Sequence, residues 1–266
     1  MDLNIVYGII IVIIIIVMAA VSYREDNLSK STEYMELIDD DSFPFKTFII
    51  SIDSTPERYE YVAGQLRMLN IDNYEKWPGV DGSKISAGAM IKEGVNRHLA
   101  QNAKGGAGCA LSHIRLWRHI LSEKLGWTLI LEDDAYFHPQ FLQLFPHYWN
   151  RVPKDAKIVY LGYCGDYIGR DIVDTGGVIC AHAYMISWEG AQYLLNNVTP
   201  MRNTLDGSLC DHFKHRAGSY IFNGDAVVNG IRPHDHENIR GSQHGGIIYQ
   251  NQGEFPSMIV SINNYK

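Results

Sequence analysis

The chain opens on an apolar run that no charged residue interrupts between Leu3 and Tyr23, and Ile9 to Val17 within it is branched aliphatic throughout. A helix of that length reaches roughly 31 Å at about 1.5 Å per residue, enough to span a bilayer. Residues 1–23 are therefore expected to be a transmembrane anchor. The rival reading is a cleaved signal peptide, for which Ala19, Ala20 and Ser22 offer a cleavage site; the missing basic n-region and the length of the run oppose it. Residues 24–44, rich in Asp, Glu, Ser and Lys without helical or strand periodicity, read as a stem, leaving 45–266 as one folded domain.

Inside that domain Thr47 to Ile52 is a β-branched apolar block closed by Asp53, Ser54 and Pro56, which predicts a buried strand. Glu57 to Leu69 has helical spacing, and Glu75 to Trp77 reads as a strand leading into a turn at Pro78 to Gly82. The glycine-punctuated stretch 83–108 lacks a long apolar period and predicts a mobile, lid-like loop. From Cys109 to Leu125 a helical stripe (Leu111, Ile114, Trp117, Ile120, Leu121) runs into Gly126 as a stop, and Trp127 to Leu131 is a buried strand. Strands follow at Ile158 to Leu161, at Val178 to Ile186 and around Ile221 and Val227, with a helix at Glu189 to Asn196. The alternation predicts an α/β fold with a mainly parallel sheet, whose ligands gather beyond the carboxyl ends of the strands.

The formal charge of −7 and the absence of any run of Lys or Arg exclude a nucleic-acid surface, which needs a basic stripe to neutralise phosphates. Arg24 and Lys30 after the apolar run, against Asp2 before it, place the C-terminal side in the cytoplasm by the positive-inside rule. Cys109, Cys164, Cys180 and Cys210 are too widely spaced for a zinc ribbon or a redox pair, and they are expected to be mostly reduced and buried.

The chemistry concentrates at Glu132, Asp133 and Asp134, directly after the strand Trp127 to Leu131. Alternation at a strand end puts Glu132 and Asp134 on one side and Asp133 on the other, giving two hard oxygen ligands that suit Mg²⁺ or Mn²⁺. Taken alone, an acidic triplet at a strand end serves equally as a solvated turn or a helix cap.

Five ordered blocks supply a context. Ile50 to Asp53 with Pro56 and Arg58, Gly79 to Gly82, Gly108 to Ile114 with Leu116 and Trp117, Leu129 to Asp134, and Ala183 to Ile186 with Gly190, Ala191, Leu194 and Leu195 resemble the signature of glycosyltransferase family 25. The resemblance covers residues 46 to 245. It implies a GT-A-like Rossmann-type fold and an inverting transfer of a hexose, galactose first, from a UDP-sugar to a glycan or a hydroxylated protein. The departing diphosphate then needs Mn²⁺ or Mg²⁺ to neutralise its charge. Glu132 and Asp134 are the metal ligands by this analogy; the histidine-rich C-terminal segment separately offers one imidazole, His236 or His244 by chain order, as a third ligand or a diphosphate donor. Asp133 is assigned to the donor-binding turn.

On the same footing Ser51, Asp53 and Arg58 contact the nucleotide, although Arg58 is equally suited to pairing with Asp53; Asp81 joins them unless it serves only its own turn. Ser112 and His113 contact the donor or orient the triplet. Asp206 is the leading general base and Asp211 its rival. Trp77, Trp149, Tyr163 and Trp188 either stack on an acceptor sugar or belong to the core. Membership of the animal branch implies a lumenal catalytic domain, and of the bacterial branch a cytoplasmic one.

Overall fold

A computed structural model describes residues 13–18, 43–164, 172–174, 177–224, 230–231 and 244–251. The chain divides into two units, residues 1–38 and 39–266. In the first, Ile13 to Met18 are helical and exposed. The rest of the apolar run, and the stem as far as residue 42, lie outside the described residues, as do Val227 and His236. Among the described residues no helix is long and apolar enough to cross a membrane.

The second unit is built on an eight-stranded sheet. Its first strands are β1 (Lys46–Ser51), β2 (Tyr74–Pro78) and β3 (Thr128–Glu132), followed by β5 (Ile158–Cys164), β6 (Ile172–Asp174), β7 (Ile179–Ile186), β8 (Ser219–Phe222) and β9 (His244–Gly246). They lie in the order β2-β1-β3-β7-β5-β8-β6, with β9 on β5. β2 and β3 flank β1 in parallel, and β8 runs parallel to β5. β7 is antiparallel to both β3 and β5, which leaves five of the eight strands pointing one way. The expected mainly parallel sheet is thus interrupted at its centre. The central strands are buried apolar blocks, as a sheet covered on both faces requires.

The chain leaves β1 for β2 on one side, through helix α1 (Pro56–Met68), and returns to β3 on the other. That reversal opens a crevice beyond the carboxyl ends of β1 and β3, where Ile50 pairs in register with Glu132. A small second sheet of β4 (Ala135–Phe137) and β10 (Ile248–Gln250) brings the C-terminal segment back beside the acidic triplet.

The stretch 83–108 is not the expected loop. It forms α2 (Ala87–Lys92) and α3 (Arg97–Asn102), and it contains the start of α4 (Lys104–Ser122). Ser86 and Asn96 cap the two short helices by accepting from the amides of Ala89 (3.2 Å) and His98 (2.9 Å). Gly108, one of the glycines that suggested a loop, and Gly82 of the turn before it instead allow backbones to touch. A Cβ on Gly108 would stand 2.4 Å from the Val80 carbonyl oxygen, and one on Gly82 1.8 Å from that of Lys104. The turn 79–82 is thereby seated on the first turns of α4.

The expectation of reduced cysteines is also corrected: Cys164 and Cys180 form a disulfide across the end of the β5–β7 pair, with Cα atoms 5.5 Å apart. Cys109 and Cys210 are free. Trp149, on helix α5 (Phe141–Trp149), stacks on Phe145 and is fully buried, as is Tyr163, so neither faces an acceptor.

Candidate active site

Strand alternation stops at Glu132, because Asp133 and Asp134 already form a turn. All three carboxylates consequently line one cleft, together with Ser51, Arg58, Asp81, Cys109, Ser112 and His113. The cleft encloses about 150 Å³.

Arg58 binds the triplet and not Asp53. Its Nε donates to Asp133 Oδ1 at 2.7 Å and its Nη2 lies 2.6 Å from the same oxygen and 3.5 Å from Asp134 Oδ2. Burial opposes the guanidinium charge, but the bonded Asp133 and the neighbouring Asp134 and Glu132 outweigh it and raise its pKa. Asp133 therefore bonds to a helix 75 residues away, not within its own turn. Asp53 instead pairs with Lys76 at 2.6 Å on an exposed edge, which lowers its pKa through the Lys76 hydrogen bond.

One guanidinium among three carboxylates leaves charge uncompensated. Asp134 is 2% exposed; Gln250 Nε2 donates to its Oδ2 at 3.1 Å, while its Oδ1 has no hydrogen-bond partner. Burial first, then the Glu132 charge, raises Asp134 to about 7. Burial first, then the charges of Asp206 and Asp133, raises Glu132 to about 7 as well. Two such carboxylates and an orphaned buried oxygen suit a hard divalent cation, which would supply the missing charge.

A pH dependence follows. With unfolded values near 4, both acids are neutral in both states below pH 4, and the penalty for ionising them in the fold is absent. It grows as pH rises and is complete above the folded value of about 7. Chelated protein is expected to lose on the order of 3 kcal/mol between pH 5 and pH 8 in urea unfolding. His113, which burial depresses to about 3, works in the opposite sense below its ordinary value. The fair control is therefore Asp134→Asn, which shares His113 and should lose most of the slope. An equal slope in that variant would contradict the assignment.

The other expected donor contacts are placed as follows. Ser112 Oγ donates to the Gly108 carbonyl and accepts from the Val80 amide, both at 2.8 Å, and so fastens the turn to α4. Ser51 is buried at the cleft wall, its carbonyl accepting from Gly79 N at 2.9 Å. Asp81 accepts from Ser83 N (3.0 Å) and Ser83 Oγ (2.6 Å) and pairs with Lys84 at 3.2 Å; the Ser83 bonds lower its pKa. His113 is fully buried; Tyr184 Oη lies 2.7 Å from its Nδ1, and its Nε2 is 3.5 Å from Glu132 Oε1.

Asp206 sits in the first turn of α6 (Leu205–Phe213), where its Oδ2 accepts from Cys180 N at 3.1 Å, and its charge helps to raise the pKa of Glu132. Asp211 does not join the site. It lines a separate cavity with Arg202, His212 and Arg216.

Three contacts have no counterpart in the sequence reading. Cys109 Sγ lies 3.6 Å from Glu132 Oε1, Gln250 reaches Asp134, and Trp117 Nε1 donates to Tyr184 Oη at 3.0 Å. The i, i+4 spacing of Cys109 and His113 on a helix was the one local signal available.

Residues 45–168 match the model of "Glycosyltransferase family 25 (LPS biosynthesis protein)". The chain is 30% identical over 173 residues to a Drosophila melanogaster "Glycosyltransferase 25 family member", covering 56% of this chain and 27% of the relative. It is 26% identical to Xenopus laevis "Procollagen galactosyltransferase 1-A", covering 64% of this chain and 31% of that protein. It is also 26% identical to the human "Inactive glycosyltransferase 25 family member 3", covering 60% and 30%. The chain thus spans about a third or less of the length of these relatives. A solved glycosyltransferase involved in glycosylation of the major capsid of PBCV-1 aligns over 67% of this chain and 94% of that one, at 10% identity and a TM-score of 0.31.

Proposed function

We propose that this chain, whose residues 45–168 match the glycosyltransferase family 25 model, transfers a hexose, galactose first, from a UDP-sugar to a hydroxyl of a glycan or protein. A GT-A-type arrangement and a single inverting displacement belong to the same proposal. The observation that carries it is Asp134, a buried carboxylate beside Glu132 with one oxygen unsatisfied at the carboxyl end of the central strands.

In this reading Glu132 and Asp134 hold Mn²⁺ or Mg²⁺, with His236 as a further candidate ligand. The ion supplies the positive charge that a departing diphosphate requires. Arg58 holds Asp133 and steadies the turn that presents the two ligands. The cleft wall made by Ser51, Asp81 and the turn 79–82 receives the nucleotide end of the donor. Asp206, next to Glu132 but held from outside by Cys180 N, takes the acceptor proton. The N-terminal apolar run anchors the domain to a membrane, and protease protection in sealed vesicles decides which side it faces.

A second reading comes from the human relative named inactive: a catalytically silent, membrane-tethered binding module. Intact Glu132, Asp133 and Asp134 favour the enzyme. The test is UDP release by the full chain in detergent with UDP-galactose and Mn²⁺, with and without sugar acceptors. Release that EDTA stops and Mn²⁺ restores is expected, whereas no UDP under any condition supports the silent module.

A further inference from the structure

We propose that Cys109, His113 and Glu132 form a second, softer cation site of the Zn²⁺ class on the inner wall of the same cleft. Cys109 and His113 stand one turn apart on α4, and Glu132 reaches them from the end of β3. One ligand atom from each residue can be chosen so that all lie within 4.8 Å of one another. The separations that bear on a metal are 3.5 Å from His113 Nε2 to Glu132 Oε1 and 3.6 Å from Cys109 Sγ to the same oxygen.

Those spacings fit one particular chemistry. With Zn–N and Zn–O near 2.0 Å and Zn–S near 2.3 Å, the edges of a tetrahedron are about 3.3 Å for N–O and about 3.5 Å for S–O. Two of the three edges thus already have tetrahedral lengths, and the third, between Cys109 Sγ and His113, closes within 4.8 Å. A thiolate and a carboxylate neutralise a divalent ion, and three protein ligands leave a fourth position open toward the cleft, which all three residues line.

His113 points to the ligand independently. It is fully buried, its Nε2 has no hydrogen-bond partner, and that atom faces Glu132 and not solvent. Its other nitrogen is already supported. The Tyr184 hydroxyl, 2.7 Å from Nδ1, also receives the Trp117 Nε1 proton at 3.0 Å. With His113 in its Nδ1–H tautomer that oxygen, with two lone pairs, accepts both N–H groups and leaves Nε2 free to bind metal; metal binding would select this tautomer. Imidazole with thiolate prefers Zn²⁺ over Mg²⁺ or Ca²⁺.

The site shares Glu132 with the hard-cation site of the proposed function. Resting on that reading, Zn²⁺ here withdraws Glu132 from the diphosphate-binding ion and inhibits transfer supported by Mn²⁺. The structure thus couples a soft-metal signal to the donor site through one carboxylate.

The experiment titrates Zn²⁺ into the full chain against a chromophoric chelator, and separately substitutes Co²⁺ to look for thiolate-to-cobalt charge-transfer absorption. Wild type should take up one equivalent that Cys109→Ser weakens at least about tenfold, with loss of the cobalt band. Cys210→Ser, the other free thiol, and Asp134→Asn should both retain the band. Zn²⁺ uptake and a cobalt band unchanged in Cys109→Ser would overturn the site. Zn²⁺ inhibition of Mn²⁺-supported UDP release that is equal in wild type and Cys109→Ser overturns the coupling. Cys109-dependent Zn²⁺ binding without any UDP release supports the site and counts against the transferase reading alone.

Discussion

Asp134→Asn is expected to reduce UDP release by about 10³-fold or more while making the chelated protein more stable than wild type above pH 7. The two effects have one cause. Asp134 is buried, receives only part of the Arg58 charge at 3.5 Å, and keeps one oxygen without a partner. In metal-free protein at neutral pH that carboxylate is a liability, because ionising it in the fold competes with burial and with Glu132. Asn keeps the shape and the bond from Gln250 while removing the charge. On the proposed function the same charge would anchor the ion that neutralises the leaving group, and losing one such electrostatic contact commonly lowers rates by about 10²- to 10³-fold, more when the ion itself is lost. Thermal unfolding with EDTA and UDP release with Mn²⁺, measured on one preparation, check both halves. A variant that is inactive and also less stable in EDTA would mean that Asp134 serves the fold.

Arg58→Met is the second large effect. The side chain is 6% exposed and is the only cation found on the triplet among the described residues. Removing it strands Asp133 in a buried site, and breaking a buried ion pair from one side costs about 3 to 5 kcal/mol. In a domain of this size that lowers Tm by about 10 °C. Adding Asp133→Asn should recover part of the loss, because the double variant buries no unpaired charge. Arg58→Lys should recover less, since a point charge cannot make both the 2.7 Å and 2.6 Å contacts to Asp133 Oδ1. If Arg58→Met instead keeps its Tm and only raises KM for UDP-galactose, the guanidinium reads the nucleotide and the pairing with Asp133 is secondary.

Much of this architecture is legible in the chain. β1 and β3 announce themselves as β-branched apolar blocks, and the acidic turn after β3 follows from charge placed where a buried strand ends. What was hidden depends on long-range geometry. The Arg58–Asp133 bond joins residues 75 apart and the Gln250–Asp134 bond residues 116 apart, and neither leaves a periodic trace. The region 83–108 misled because its glycines look like punctuation. Gly82 and Gly108 are small because two backbones meet there, a reason visible only once the turn 79–82 rests on α4. The Cys164–Cys180 bond follows from the register of β5 against β7, which is shifted after Tyr160 and again after Gly162. Asp206 and Asp211 look interchangeable in sequence, yet five residues of helix separate Asp206, which accepts from Cys180 N near Glu132, from Asp211, which lines another cavity.

On the proposed function the acidic triplet holds a hard divalent cation for a diphosphate. Calorimetric titration of Mn²⁺ into the protein with and without UDP tests it, because coupled ligands must strengthen each other by the same factor. One Mn²⁺ site is expected whose affinity rises at least about tenfold with UDP, a coupling of about 1.4 kcal/mol or more, and which disappears in Asp134→Asn. UDP binding that is equally tight in EDTA, or Mn²⁺ binding that survives Asp134→Asn unchanged, would contradict it.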